Sequence, residues 1–266
     1  MLGVVTQCDQ EGWTVAVAEI AGQTVYYEVT GDGDPVVLLH GALGGGEAWQ
    51  RQVPALVEAG FQVWAPDRSG HGRSPDVEGP FSYDAMATQT AAFLDTVVRR
   101  RAHVIGWSDG AVVGALLARH RPELLDRLVL IGQYFDPSGE VEDGLVTQIA
   151  ALRDNPPDFL RDGYARISPD GADHFAVVYG KTIDLLADWT GMPLAELAKI
   201  SAPTLVLQGD RDDVRLEHSA AVVTAIPDAR LAVLPGTHAL PLESPQLVNP
   251  LLIDFLVGTP TNYDIG

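Results

Sequence analysis

A serine between two glycines, Gly106-Trp107-Ser108-Asp109-Gly110, carries the chemistry most visible in this chain. An apolar run, Ala102-His103-Val104-Ile105, precedes it, and a helix-compatible stretch from Ala111 to Arg119 follows. Strand, sharp turn and helix form the setting in which a serine hydroxyl is pushed clear of the backbone as a nucleophile. The flanking glycines are expected because such a turn leaves no room for neighbouring side chains. G-x-S-x-G alone is common by chance, so the rest of the chain must supply the other parts. A serine needs a base to take its proton, an acid to orient that base, and donors to hold the oxyanion that develops.

The base candidate is His238, in Pro235-Gly236-Thr237-His238, after the last apolar strand-like run. His103 falls in a strand and His120 and His218 in helices, where surface or satisfied core roles are expected; His174 could line a pocket. The acid candidate lies in Gly209-Asp210-Arg211-Asp212-Asp213, where Asp212 is preferred over Asp213 and Asp210. The order Ser, Asp, His is the one that follows a nucleophile on a strand-to-helix turn. The oxyanion donors are sought in His40-Gly41-Ala42-Leu43-Gly44-Gly45-Gly46, where glycines let amides approach a substrate oxygen. The backbone N–H of Ala42 is expected as one donor, with Leu43 as its substitute, and that of Asp109 as the other. G-x-G-x-x-G is absent there, which disfavours a dinucleotide loop.

These groups need strand ends to hold them. Thr14 to Ile20 and Thr24 to Val29 alternate and read as antiparallel strands. Val36 to Leu39 is apolar throughout, as in a strand buried on both faces. Helix 47–59, strand 61–65 and a helix opened by Ser82 and reaching Arg101 follow, then the strand before Ser108 and another at 128–131. From 134 to 200 the pattern is mostly helical, punctuated by Pro156-Pro157, Ser168-Pro169 and Met192-Pro193. Strand 204–207, helix 216–225, strand 230–234 and helix 244–257 restore the rhythm. Such alternation implies an α/β fold with a mostly parallel sheet flanked by helices. Residues 1–133 and 201–266 then form the core, with 134–200 as a helical cap at the strands' carboxyl ends, where ligands bind in open sheets.

Taken in order, His40-Gly41, Asp67-Arg68-Ser69-Gly70-His71-Gly72-Arg73-Ser74, the serine pentapeptide, the acidic turn and Gly236-Thr237-His238 resemble the α/β-hydrolase superfamily. The resemblance spans about Gln23 to Leu256 and implies an eight-stranded, mostly parallel sheet with a cap insertion. It implies that Ser108, Asp212 and His238 form a catalytic triad. It also makes His40 and His71 structural and gives the 67–74 loop the task of bracing the oxyanion region. Relatives that open epoxides or displace halides carry aspartate at the nucleophile, so Ser108 points instead to an acyl-enzyme.

The expected reaction is hydrolysis of a small to medium carboxylic ester, including a lactone or a secondary-metabolite ester. Carbon–carbon bond hydrolysis, a cofactor-free lyase or perhydrolase reaction, and a non-enzymatic ligand receptor are the alternatives. Leu43, Trp107, Asp109, Tyr134, Phe135 and Trp189 are candidate pocket walls, with Phe175 and Tyr179 behind them; for the aromatic residues core packing is the competing role. Asp109 fits the start of a helix, where the dipole favours a carboxylate. It also resembles the Ser-Asp-Gly branch that includes valacyclovir-hydrolase-like esterases, where it would attract a substrate amine; Ala111 departs from the glycine often found next.

The chain has 266 residues, 46% of them hydrophobic, and a net charge of −19. That charge argues against nucleic acid and anionic membranes as partners and leaves a small-molecule substrate. No apolar run is long enough to span a bilayer and no basic-then-apolar leader opens the chain, so a cytoplasmic monomer or homodimer is expected. One cysteine, Cys8, excludes an internal disulfide and is expected to be inert. Neither metal-ligand spacing nor a phosphate cradle is evident, so no cofactor is expected.

Overall fold

A computed structural model describes residues 5–8, by backbone alone, and residues 13–258. The Cys8 side chain and the chain ends lie outside the described residues. Among the described residues, nine strands form one sheet. They are β1 (Val5–Cys8), β2 (Thr14–Ile20), β3 (Gln23–Thr30), β4 (Asp34–Leu39), β5 (Phe61–Pro66), β6 (Ala102–Trp107), β7 (Leu125–Ile131), β8 (Thr204–Gly209) and β9 (Ala229–Leu234). Their order is β1-β2-β3-β5-β4-β6-β7-β8-β9. Strands β5, β4, β6, β7, β8 and β9 run parallel; β1, β2 and β3 join by antiparallel pairings. Strands β2 to β9 are the eight-stranded, mostly parallel sheet of an α/β-hydrolase fold, and β1 adds a ninth at the antiparallel edge.

The apolar run of β4 is wholly buried because successive residues enter different cores. Val37 and Leu39 pack with the first core, under helices α2 (Tyr83–Phe93) and α3 (Asp109–His120). Val36 and Leu38 pack with the second, under α1 (Val53–Glu58) and α10 (Pro245–Val257). Strand β2, next to the edge strand β1, buries only alternate residues, Ala16, Ala18 and Ile20.

Two helices differ from expectation. The 47–59 segment is a 3₁₀ turn, Gly46–Trp49, followed by α1. Pro54 has no N–H and cannot continue an i→i−4 ladder from the turn, so the helix restarts around it. The helix capped by Ser82, whose Oγ accepts from the Ala85 amide at 3.4 Å, is α-helical only to Phe93. It then widens into a π-turn, Leu94–Val98, and ends at Arg99 in the left-handed region, φ 58°. Arg99 thus stops the helix before β6.

Between β7 and β8 lie α4 (Leu145–Ala151), α5 (Asp158–Ile167), α6 (Phe175–Asp188) and α7 (Leu194–Leu197). After β8, α8 (Leu216–Ala225) leads to β9, and α9 (Leu240–Glu243) precedes α10. Phe175, Tyr179 and Ile183 on α6 form a small third core that includes Leu160 and Tyr164 of α5 and, from below, Leu43. Asp76, in the loop before α2, ties this layer to the sheet. Its buried carboxylate meets Lys181 Nζ at 2.7 Å and His174 Nε2 at 2.8 Å. Among the described residues no helix is long and apolar enough to cross a membrane.

Candidate active site

The register of the parallel strands gathers five loops at one edge. Leu39 pairs with Gly106, Trp107 with Ile131, Ile131 with Leu207, and Gly209 with Leu234. The carboxyl ends of β4, β6, β7, β8 and β9 therefore lie side by side, and each feeds a loop into the same space.

The β6 loop is the turn at Ser108. Its φ of 55° and ψ of −120° are rare for a residue with a side chain and carry strain. Its amide donates to the Ile131 carbonyl at 2.9 Å, which locks the turn to β7. A Cβ on Gly106 would collide with the Gly110 carbonyl, and one on Gly110 with the Leu39 carbonyl. Both glycines are thus sterically required. A Cβ on Gly41 would lie 3.3 Å from Ser108 Cβ, so the loop after β4 passes directly beside the serine.

That loop turns tightly, with the Gly44 amide donating to the Gly41 carbonyl at 3.3 Å. Ala42 and Leu43 occupy its centre, Leu43 in the left-handed region at φ 57°. Asp109 opens α3. A central amide of such a turn and the first amide of a helix both lack acceptors within their own element, as an oxyanion donor must.

The loop is braced from below by residues 67–73. Arg68 is fully buried; its guanidinium donates to the carbonyls of His40 at 2.5 Å and Gly41 at 3.2 Å, and its amide to His40 Nε2 at 3.1 Å. Asp67 accepts from the amides of Gly46 at 2.6 Å and Arg73 at 2.8 Å. Burial pushes the Asp67 carboxyl up to about 7 despite those two donors. Burial and the Arg68 charge hold His71 down at about 4, and the same two causes keep His40 neutral.

His238 follows β9, and its Nδ1 lies 2.9 Å from Asp212 Oδ1. The Asp212 side chain is 1% exposed and that of His238 17%. A carboxylate can only accept, so this contact puts the proton on Nδ1 and leaves Nε2 as a base. The three aspartates of the turn do different work. Asp210 accepts from the Gly236 amide at 2.9 Å and pins the two loops together, Asp212 meets the histidine, and Asp213 lines the pocket. Gly132, at φ 58°, makes space for the pair; a Cβ there would sit 3.0 Å from Asp212 Oδ2 and 3.2 Å from His238 Nδ1.

Ser108 and His238 line one narrow pocket of about 30 Å³. Tyr83, Asp109, Tyr134 and Trp189 share it, with Glu140 and Asp213 as further carboxylates. Of the candidate walls, Asp109, Tyr134 and Trp189 are in place and three are not. Trp107 shares the face of Ile105 by strand alternation, so it packs into the second core and donates from Nε1 to the His238 carbonyl at 2.9 Å. Phe135 is 1% exposed in the first core, and its amide donates to His218 Nε2 at 2.9 Å. Leu43 points to α5 and α6, where Phe175 and Tyr179 also pack. His174 is held by Asp76 rather than by the pocket.

Tyr83 has no motif to announce it. Its hydroxyl donates to Asp109 Oδ1 at 2.8 Å, while Oδ2 of that carboxyl has no partner among the described residues. Asp109 is 2% exposed, and burial raises its pKa against the opposing influence of Arg68 and Tyr83. Asp212, Asp213 and His238 also bring ligand-type atoms within 4.8 Å of one another, though the 2.9 Å contact already commits two of them.

The chain belongs to the alpha/beta hydrolase family, whose model matches residues 36–251. It is 31% identical over 254 residues to a Variovorax paradoxus protein provisionally named a carbamate hydrolase, RutD, covering 87% of this chain and 96% of that one. It is 30% identical over 264 residues to a non-heme haloperoxidase of Rhodococcus erythropolis, covering 88% and 96%. In fold it is similar to the meta-cleavage product hydrolase CumD of Pseudomonas fluorescens IP01, with a TM-score of 0.75, 24% identity, and 91% and 97% of the two chains covered. The protein is thus an enzyme of the alpha/beta hydrolase family.

Proposed function

We propose that the protein is a serine hydrolase that cleaves a small to medium carboxylic ester through an acyl-enzyme. The 2.9 Å contact between His238 Nδ1 and Asp212, in a pocket that Ser108 shares, carries this reading. His238 Nε2 takes the proton of Ser108 as Oγ attacks the ester carbon. The amides of Ala42 and Asp109 hold the oxyanion, and His238 returns the proton to the departing alcohol. Water activated by His238 then releases the acid. Asp212 holds the imidazole tautomer and offsets the charge it gains. The α4–α7 segment serves as a lid that excludes bulk water.

The narrow pocket favours small acyl groups, lactones or compact secondary-metabolite esters. A haloperoxidase relative keeps a perhydrolase reaction as the second reading, with peroxide replacing water at the acyl-enzyme. Incubation with a fluorophosphonate probe tests the shared core of both: wild type should label and Ser108→Ala should not. An unreactive wild type would remove the nucleophile reading. Turnover of p-nitrophenyl esters of graded length, with lactones, amino-esters and added peroxide, ranks the substrates.

A further inference from the structure

The Ser108 pocket is too small for a whole ester. A benzene ring fills a cavity of about 150 Å³, and a single water needs at least about 10–15 Å³. At about 30 Å³ the pocket has room for a compact acyl group and little else. On the serine-hydrolase reading, the rest of the substrate must lie outside it.

A groove of about 230 Å³ adjoins the pocket, between the start of α2 and the second half of α6. Pro80, Phe81 and Leu185 give it apolar wall, and Asp84 and Asp188 stand exposed along it. Two residues, Tyr83 and Trp189, line both the groove and the pocket. Their rings meet edge to face, with centroids 4.8 Å apart and planes at 77°. The pair therefore stands between the two spaces. Helix α6 follows the same divide, since Leu185 lines the groove and Leu186 the pocket.

The two rings are held unequally. Tyr83 is 3% exposed in the first core, and its hydroxyl is fixed on Asp109. Trp189 is half-buried, and its Nε1 has no hydrogen-bond partner among the described residues. It stands where α6 ends, its backbone already extended at φ −66° and ψ 103°. The Met192 amide, donating to the Phe135 carbonyl at 2.7 Å, anchors the chain just beyond it. Rotation of the indole thus breaks ring contacts but no hydrogen bond. It also brings an unpaired N–H to water, which offsets part of the lost contact.

We propose that Trp189 is a gate: its indole swings away from Tyr83 and joins the pocket to the groove. The half of the substrate that outgrows the pocket then lies against Phe81 and Leu185. What passes the gate rests on the serine-hydrolase reading; the motion of the ring does not.

Fluorine NMR of the intact protein with 5-fluorotryptophan at its five tryptophans tests the motion. The Trp189 resonance is the one that Trp189→Phe removes. It should show microsecond-to-millisecond exchange in relaxation dispersion. Trp49, 0% exposed, and Trp107, whose Nε1 donates to the His238 carbonyl, should not. A Trp189 signal as quiet as those two overturns the gate, and five quiet signals do so even if the variant fails to fold. Turnover tests the groove, as the ratio of kcat/KM for esters six carbons longer on the acyl or the alcohol side to that for ethyl acetate. For one of the two sides Trp189→Ala should raise this ratio about tenfold, and Asp188→Trp, which narrows the groove from its exposed rim, should lower it about tenfold, the worth of about two buried methylenes. Ratios that neither variant moves overturn the groove. Fluorophosphonate labelling separates the readings. A protein that labels but keeps Trp189 still loses only the gate; one whose Trp189 exchanges but does not label loses only the serine mechanism.

Discussion

Asp212 is one of three aspartates within four positions, and nothing in their side chains distinguishes them. Backbone geometry does: Asp210 is spent on the Gly236 amide, while Asp212 is turned inward to His238. Asp212→Asn should keep the fold and lower kcat by about 10³ to 10⁴, because the imidazole loses its fixed tautomer. Asp210→Asn, measured beside it, should cost far less. Asp109 gives a second prediction. If its free oxygen attracts a substrate amine, Asp109→Asn weakens turnover of amino-esters far more than of neutral esters; equal losses on both leave it the structural partner of Tyr83. Ser108 and His238 were legible because each lies in a motif with its own steric logic. Tyr83 was not, since it meets Asp109 across 26 positions through the packing of α2 on α3.

At the level of elements, the 67–73 loop exchanges a proton within itself. In the unfolded chain between pH 4 and 6.5, histidine is charged and aspartate is ionised. In the fold Asp67, raised to about 7, keeps its proton, and His71, lowered to about 4, has none. Asp67 alone makes stability fall as pH rises through this window, and His71 alone makes it rise, so the two offset each other. His71→Phe should therefore lower the slope of stability against pH, between about 4.5 and 6, by about 1.4 kcal/mol per unit relative to wild type. Urea melts across that range give the slope, and an unchanged slope contradicts the assignment. The Asp76 junction behaves differently, since hydrogen bonds from Lys181 and His174 outweigh burial and hold its carboxyl below the ordinary range. Asp76→Ala should cost about 1–3 kcal/mol, reduced from a fully buried pair by the partial exposure of Lys181 and His174, and should speed amide exchange in α6 before the sheet. Strands and long helices were legible from periodicity, whereas the break at Pro54 and the π-turn at 94–98 are local adjustments that apolar spacing does not encode.

For the whole molecule, the alternation of strands and helices announced the parallel sheet, and its helical interruption announced what lies between β7 and β8. Which apolar residues face the pocket was not legible: Trp107 and Phe135 are as aromatic as Tyr134 and Trp189, and only the assembled layers sort them. The acidity of the chain, read at first as a matter of partners, also reaches the reacting centre. Asp109, Glu140 and Asp213 line the pocket with Ser108, and among the described residues no lysine or arginine does. On the proposed ester-hydrolase reading, the ester would enter such a site uncharged and its acid product would leave as an anion among carboxylates. Acid products should then inhibit weakly, and their inhibition should strengthen as added salt screens the repulsion, while inhibition by the alcohol product stays level. On that reading, the acid formed in this pocket is repelled by the pocket's own walls, which favours its release over its rebinding for the reverse synthesis of the ester.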